Sequence, residues 1–498
     1  MQEKDIKRLV VKQLKKEFPH WSGLTKKEKK DLAKQVLEEV VSGYDFTEEV
    51  QVPLNELTGT PVLPEGLIGV SEMENFIEEA KGKLFKISRW SGKKGLRDPE
   101  LMAIDELLDD VVLNRILGTE SYTPSMRTLF PCHFFRAELL KSLKYSEFSY
   151  RKYCRDVLNE LESKTERRFV GLPLHKKTKI DHSQLSQFRS GLSVRQVVNL
   201  ISYVIYLLIK SGKIEGCISI CGMDSTELPA CCSSVPLATV QIGKKKVRIY
   251  PDLDADCGKR RKKRDKSEFF VGYRLHTLTA IDPGTGHNYP LLSLVAPGNH
   301  HDKLFLPQLV PFAQAIGLDI KLITADEAYA DAKQNEAIYQ DCGVAVITPP
   351  DKKVKLAENV DPKSHAVYMN EECEVAMEYL GRTEKGHEFK CGDENNACFH
   401  ADICPKYREV PVDAGIFGQI PDQVNGVDEV RDIRKHMERA YNLLKHREGL
   451  EPLRVRSQQA VIAVATFANI STLLLEIVET RKSNENKQSE QQEFALAS

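Results

Sequence analysis

Residues 218–228, ISICGMDSTEL, constrain this chain more than any other stretch. A short apolar run, rich in isoleucine and cysteine and interrupted by glycine, suits a buried strand better than a helix. This run ends on a carboxylate, Asp224, followed by the hydroxyl residues Ser225 and Thr226. An isolated carboxylate leaving an apolar strand is costly to desolvate unless something pairs with it. An arginine, a set of hydrogen bonds or a metal ion would serve. Ser225 and Thr226 have no base positioned to make either a nucleophile, and they read as turn and capping residues.

The surrounding chain is that of a soluble globular protein. Its 498 residues are 41% hydrophobic and 29% charged, with a net charge of −1, so the total points to no polyanionic partner. The distribution says more: residues 258–266, GKRRKKRDK, form a dense basic block, and residues 1–35 carry many lysines. Such blocks are solvated surface or a phosphate-binding surface. The amino terminus is charged throughout, so no secretory signal is expected. Twelve unevenly spaced cysteines suit a reducing, intracellular setting better than a disulfide scaffold. Ala460–Val478 approaches the length of a membrane span. Its Thr466, Asn469, Ser471, Thr472 and Glu476 make a buried core helix the expectation, with no membrane partner.

Residues 1–119 read as a charged helical region, with candidates at Asp5–Phe18, Lys26–Val41, Glu72–Lys83 and Glu100–Ile116. Residues 120–212 are helical too, at Phe135–Leu143, Glu147–Ser163 and Val194–Ser211. Between them, residues 175–193 give helix, glycine turn, helix, with Lys176, Lys177, Lys179 and Arg189 nearby. That pattern fits a DNA-binding helix-turn-helix or an ordinary helical hairpin. From residue 213 the texture changes. Apolar runs at Ile218–Met223, Lys246–Tyr250, Tyr273–Ile281, Tyr289–Val295, Ile320–Thr324 and Val344–Thr348 alternate with turns and then with helices. The spacing predicts a mixed α/β sheet, antiparallel at first and parallel later. Residues 351–425 form a polar, loop-rich insertion holding Cys373, Cys391, Cys398, His400 and Cys404. Residues 426–481 return to strong helix, at Asp428–Arg447 and Val455–Arg481, and the polar tail 482–498 is expected to be disordered.

A second strand-end acid follows about a hundred residues after the first: KLITADEAYAD places Asp326 after Ile320–Thr324, with Glu327 and Asp331 close by. An acid in that position also serves as a helix cap, but parallel neighbours bring their carboxyl ends to one edge, where α/β sites form. The helix around RKHMERAYNLLK then sets Arg434, Glu438 and Lys445 on one face, by steps of four and seven. A surface salt-bridge stripe is the plain reading. The sharper one is a metal-binding glutamate between two phosphate-binding cations. Three carboxylates suit hard cations such as Mg²⁺, and two such ions serve in-line displacement at phosphorus.

The order of these elements, with MDST, ITADEAYAD and R-x-x-x-E-x-x-x-x-x-x-K, resembles the DDE transposases of bacterial insertion sequences, over about residues 120–480. The resemblance implies a ribonuclease-H-like mixed five-stranded sheet flanked by helices. It implies that Asp224, Asp326 and Glu438 hold two Mg²⁺ or Mn²⁺ ions, and that Arg434 and Lys445 contact DNA near the scissile phosphate. FFVGYRLH (269–276) is similar to the family's G-Y-K-x-H segment, with Arg274 at the basic position, and APGNHHD (296–302) to its G-N-x-H-D turn. The basic block before G-Y-K is also a family feature, which brings Lys262, Lys263 and Arg264 toward DNA. With Lys176, Lys177 and Arg189 these make the expected DNA-binding set. Many relatives carry Tyr and Trp around the motif arginine where this chain has Arg431 and Lys435, which puts a hairpin-end pathway in doubt. The insertion before the glutamate helix fits too, and its cysteine spacing suggests structural zinc on Cys391, Cys398 and Cys404 with Cys373 or His400.

The function so implied is a transposase that binds the double-stranded ends of its element, cuts them and joins them to target DNA. It would work as a homodimer in the cytoplasm, at the nucleoid of a prokaryote. The alternatives are a catalytically silent DNA-binding protein on the same core and a ribonuclease-H-fold nuclease. Glu448, on the same helix but off the motif spacing, is the fallback for the third acid.

Overall fold

A computed structural model describes residues 61–497, apart from 62, 83–95, 119–128, 175–178, 215–217, 243–244, 262–266, 283, 350–355, 362–363, 393–403, 412–423, 425 and 448. The helices expected at Asp5–Phe18 and Lys26–Val41 lie outside the described residues, as do Lys176, Lys177, Lys262, Lys263, Arg264, Cys398, His400 and Glu448.

The site is built on a six-stranded sheet. Strand β1 (Ile220–Pro229) is central. β2 (Ala238–Ile242) and β3 (Lys245–Ile249) form a separate ribbon, while β4 (Asp256–Arg261), β5 (Ser267–Ile281) and β6 (Asn288–Pro297) join the main sheet. β5 pairs antiparallel with β1, and β7 (Leu322–Ala325) pairs parallel with β1 on its other side. β8 (Ala345–Ile347) extends the parallel half. The order, antiparallel then parallel, is the one the spacing predicts. The extra strand is β4. It shares one edge of the long β5 with β6, β4 taking Ser267–Gly272 and β6 taking Tyr273–Ile281. Its sequence, DCGKRR, is too cationic to read as a strand, and only its pairing to β5 makes it one.

The preceding helices are α1 (Met73–Gly82), α2 (Pro99–Leu107), α3 (Asp110–Ile116), α4 (Pro131–Lys144), α5 (Tyr150–Tyr153, continued by a π turn at Cys154–Leu158), α6 (Lys164–Val170), α7 (His182–Gly191) and α8 (Val194–Lys210). They share one apolar cluster with the sheet. Asp181 and Ser193 start α7 and α8 with capping boxes, closed by Gln184 and Gln196. The two helices bend by 94°, within the range of a helix-turn-helix. Yet the middle of α8, from Val198 to Tyr206, is buried. A helix covered through its middle cannot lie in a groove, which leaves the exposed start of α8, at Val194 and Arg195, and the outer face of α7 as the parts of this pair open to a partner at the turn.

Helices α9 (Leu306–Ala315) and α10 (Ala332–Cys342) lead into the parallel strands β7 and β8. The insertion is not loop throughout. β9 (Glu378–Arg382), β10 (Gly386–Lys390) and β11 (Tyr407–Pro411) make a three-stranded sheet over a small core of Val360, Val367, Met377, Phe389 and Val410. Too few inward positions are apolar for the sequence pattern to show it. The helix expected at Asp428–Arg447 is interrupted: α11 (Val427–Ile433), a 3₁₀ turn at Arg434–His436, α12 (Met437–Asn442) and a π turn at Leu443–Arg447. The last helix, α13 (Gln458–Ala497), runs through the tail expected to be disordered. That tail holds no glycine or proline, so a helix nucleated on a buried segment propagates into it at little cost. By length and composition Gln458–Glu479 is apolar enough to cross a membrane, but 83% of its apolar window is buried within the protein.

Candidate active site

Pairing register brings the first two acids together. The parallel ladder between β1 and β7 ends at Met223 opposite Ala325. One residue further on each strand stand Asp224 and Asp326. β1 itself does not end there; it stays paired with β5 as far as Pro229. Asp224 is therefore a mid-strand residue at the point where its parallel neighbour leaves. Asp326 also caps the 3₁₀ turn Glu327–Tyr329, accepting from the Ala328 amide at 2.9 Å. The cap leaves the second carboxylate oxygen without a bond from that turn.

Electrostatics single out the pair. Burial, and then the charge of Asp326, push the Asp224 carboxyl up to about 7; the Ser225 amide and Arg434 pull against this. Asp326 is raised as well, first by burial, with the Ala328 amide and Arg434 opposing. Two close, half-buried carboxylates are a poor arrangement for a protein alone and a good one for a cation.

The glutamate helix lies directly on β1. Gly222 makes this possible: a Cβ there would stand 2.3 Å from the Met437 sulfur. Tyr441 reaches from the same helix to donate its hydroxyl to the Asp224 carbonyl. Glu438 follows Met437 in the first turn of α12, after the 3₁₀ turn that carries Arg434, and its side chain is exposed. Among the described residues no three His, Cys, Asp or Glu side chains gather closely enough to hold a metal ion. The structure thus joins Asp224, Asp326 and Arg434, and sets Glu438 on the adjoining helix without drawing it into a ligand cluster.

Several expected DNA contacts have other partners. Arg189 is a correction: it is 3% exposed and paired with buried Glu138, with its guanidinium 3.8 Å from the Tyr150 ring centre. An arginine held there cannot reach a phosphate. Arg274 points inward, donating from Nη1 to Asp302 at 3.0 Å and from Nη2 to the Lys259 carbonyl at 2.9 Å. Lys445 pairs with Glu451 at 3.0 Å, so a phosphate would have to displace that carboxylate. In the insertion, β10 pairs with β11 at Lys390 and Tyr407, which sets Cys391 and Cys404 at one end of the small sheet. They and Cys373 are free thiols.

Three motifs interlock beneath the acids. His276 is fully buried, stacks on Phe305 with ring centres 3.9 Å apart, and is hydrogen-bonded to the Tyr329 hydroxyl at 2.9 Å. Burial holds its imidazole far below the usual range, so it is neutral. It braces the turn that begins at Asp326. Asp302 accepts from Arg274 and from the Ser225 hydroxyl at 3.1 Å. Ser225 is thus a strand residue with a defined acceptor, not the turn residue its sequence suggests. The sequence showed Asp302, Tyr329 and Tyr441 without marking them as part of the site. The G-N-x-H-D turn was the only available signal for Asp302, and nothing in a linear pattern says that Arg274 reaches it.

Residues 215–474 match the transposase DDE domain family. The chain belongs to that family. The protein is a DDE-type DNA transposase, from a family whose chemistry uses divalent metal ions and whose substrate is DNA. No curated protein matches the transposase sequence. A cryo-EM structure of a piggyBac transposase synaptic complex with hairpin DNA aligns with 78% of this chain and 74% of that one, at 10% identity and a TM-score of 0.30. That likeness is too slight to bear on the site.

Proposed function

We propose that Asp224, Asp326 and Glu438 are the metal-binding acids of this transposase, and that it cuts the ends of its element and joins them to target DNA. The register of β1 against β7 carries the reading, because it brings two half-buried carboxylates together within reach of the Arg434 charge. When bound, two Mg²⁺ or Mn²⁺ ions would activate the attacking oxygen and stabilise the leaving one. The chain's own part is to hold the acids rigidly. Arg434, whose charge acts on both aspartates, would supply positive charge for a DNA phosphate, and Glu438 would complete the set from its helix. Ends would be read by the outer face of α7, the start of α8 and the basic segment 258–266, in a homodimer acting at a prokaryotic nucleoid. Structural zinc on Cys391, Cys398 and Cys404 with Cys373 or His400 would tie the end of the insertion sheet, and metal analysis of protein purified without chelator tests it.

The deciding experiment is strand cleavage of DNA carrying the inverted repeats that flank the reading frame, with Mg²⁺ or Mn²⁺. Asp224→Asn, Asp326→Asn and Glu438→Gln should each abolish cleavage and joining while DNA binding persists and weakens steeply with salt. Cleavage at the normal rate by any one variant removes that residue from the site.

A further inference from the structure

We infer that Arg274, Asp302 and Ser225 form a positioning clamp that fixes the carboxylate of Asp224, an inference that rests on Asp224 being a metal ligand. The clamp is a continuous chain of hydrogen bonds. It starts at the Lys259 carbonyl on β4, which accepts from Arg274 Nη2 at 2.9 Å. Arg274 Nη1 lies 3.0 Å from both carboxylate oxygens of Asp302. Asp302 Oδ2 accepts from the Ser225 hydroxyl at 3.1 Å. The Ser225 amide then donates to Asp224 Oδ1 at 2.8 Å. One residue therefore carries both ends of the linkage: its hydroxyl is held by the clamp and its amide holds the acid.

Geometry separates the clamp from the ligands. Neighbouring residues on a strand point to opposite faces, and Ser225 pairs with His276 while Asp224 pairs with Thr277. The clamp grips β1 through the Ser225 side chain, on the face opposite that of Asp224, while the Asp302 charge still acts on both Asp224 and Asp326. Both oxygens of Asp302 are already engaged, and its side chain is 10% exposed. It is a fourth carboxylate near the site, but a brace and not a further ligand. Carboxylates that bind metals are themselves commonly fixed by such hydrogen bonds, and loss of the partner typically weakens metal binding about 10–100-fold. The clamp also explains why the G-Y-R-x-H segment and the G-N-x-H-D turn occur in one chain: the arginine of the first is the counter-ion of the aspartate of the second.

The test is Mn²⁺ binding to the full-length protein without DNA, followed by electron paramagnetic resonance of the free ion, alongside thermal melting and DNA affinity. Ser225→Ala and Asp302→Asn should each weaken Mn²⁺ binding roughly tenfold. Ser225→Thr, which keeps the hydroxyl, should restore it. DNA affinity of Ser225→Ala should match the parent, with only the small drop in melting that one lost hydrogen bond brings. Asp224→Asn is the reference and should lose the site. If Asp224→Asn loses Mn²⁺ while Ser225→Ala and Asp302→Asn bind as the parent does, the clamp is refuted and the metal site stands. If Asp224→Asn binds Mn²⁺ normally, the metal site itself is wrong and the clamp falls with it. Should Asp302→Asn fail to fold, Ser225→Ala decides alone.

Discussion

The Tyr441 hydroxyl donates to the main-chain carbonyl of Asp224, so the helix bearing Glu438 is tied to the strand bearing the first acid at the very residue it must face. The ring is buried and packs with Leu444, Tyr273 and Leu275. Tyr441→Phe keeps that packing and removes the bond. A catalytic group displaced by about 1 Å can cost up to about 100-fold in rate, whereas one lost hydrogen bond costs about 1 kcal/mol of stability. The expected outcome is cleavage slowed about 10- to 100-fold, with DNA affinity unchanged and a small fall in the denaturation midpoint. Equal cleavage rates would show that packing alone seats the helix.

Gly222 and Met437 test the same seating from the other side. A methyl at residue 222 would stand 2.3 Å from the Met437 sulfur and 2.9 Å from its Cγ. Overpacking of this kind costs about 1–3 kcal/mol. Gly222→Ala should lower both stability and cleavage, and Met437→Ala in the same chain should recover much of the cleavage by vacating the space. Denaturation and cleavage rates of the two single variants and the double measure the coupling, and strictly additive losses would place the contact elsewhere.

Much of this architecture was legible in the sequence, for identifiable reasons. The apolar runs of β1, β5, β6, β7 and β8 stand out because both faces of the sheet are covered. The two aspartates stand out because each follows such a run. What stayed hidden depends on register or reach. β4 is cationic and is a strand only through β5. Asp302 is a turn residue until Arg274 folds onto it. Arg189 looked like a DNA contact because it follows a run of lysines, and a linear pattern cannot show that Glu138, 51 residues earlier, waits beneath it.

Arg189 should accordingly behave as a core residue. It pairs with Glu138, which also accepts from the Tyr150 hydroxyl at 2.8 Å. Removing one partner of a buried ion pair typically costs about 3–5 kcal/mol, because the other charge is left uncompensated. Arg189→Met should show a loss of that size in chemical denaturation. Adding Glu138→Leu should recover a large part of it. The salt dependence of DNA binding by the folded protein should not change; a shallower slope would return Arg189 to the DNA surface.

Lys141 lies in the same buried cluster and gives a pH dependence of definite sign. Its ammonium donates to the carbonyls of Tyr145 and Ser146 at 3.2 and 3.3 Å, and burial, partly offset by Glu138, lowers its pKa to about 8. An unfolded lysine titrates near 10.4. Below pH 8 both states keep the proton, and the folded state bears the full cost of the buried charge. Between about 8 and 10.4 the unfolded state binds more protons, so stability rises with pH. Lys141→Met removes this titration and leaves only a constant offset from the lost contacts to the two carbonyls and to Glu138. The unfolding free energy of the parent, less that of Lys141→Met, should therefore climb from pH 8 toward 10.4, by roughly 3 kcal/mol at the limit. Urea denaturation of both proteins at pH 7.5, 8.5 and 9.5 measures that difference, and a value flat in pH would mean that the Lys141 ammonium is hydrated in the folded state.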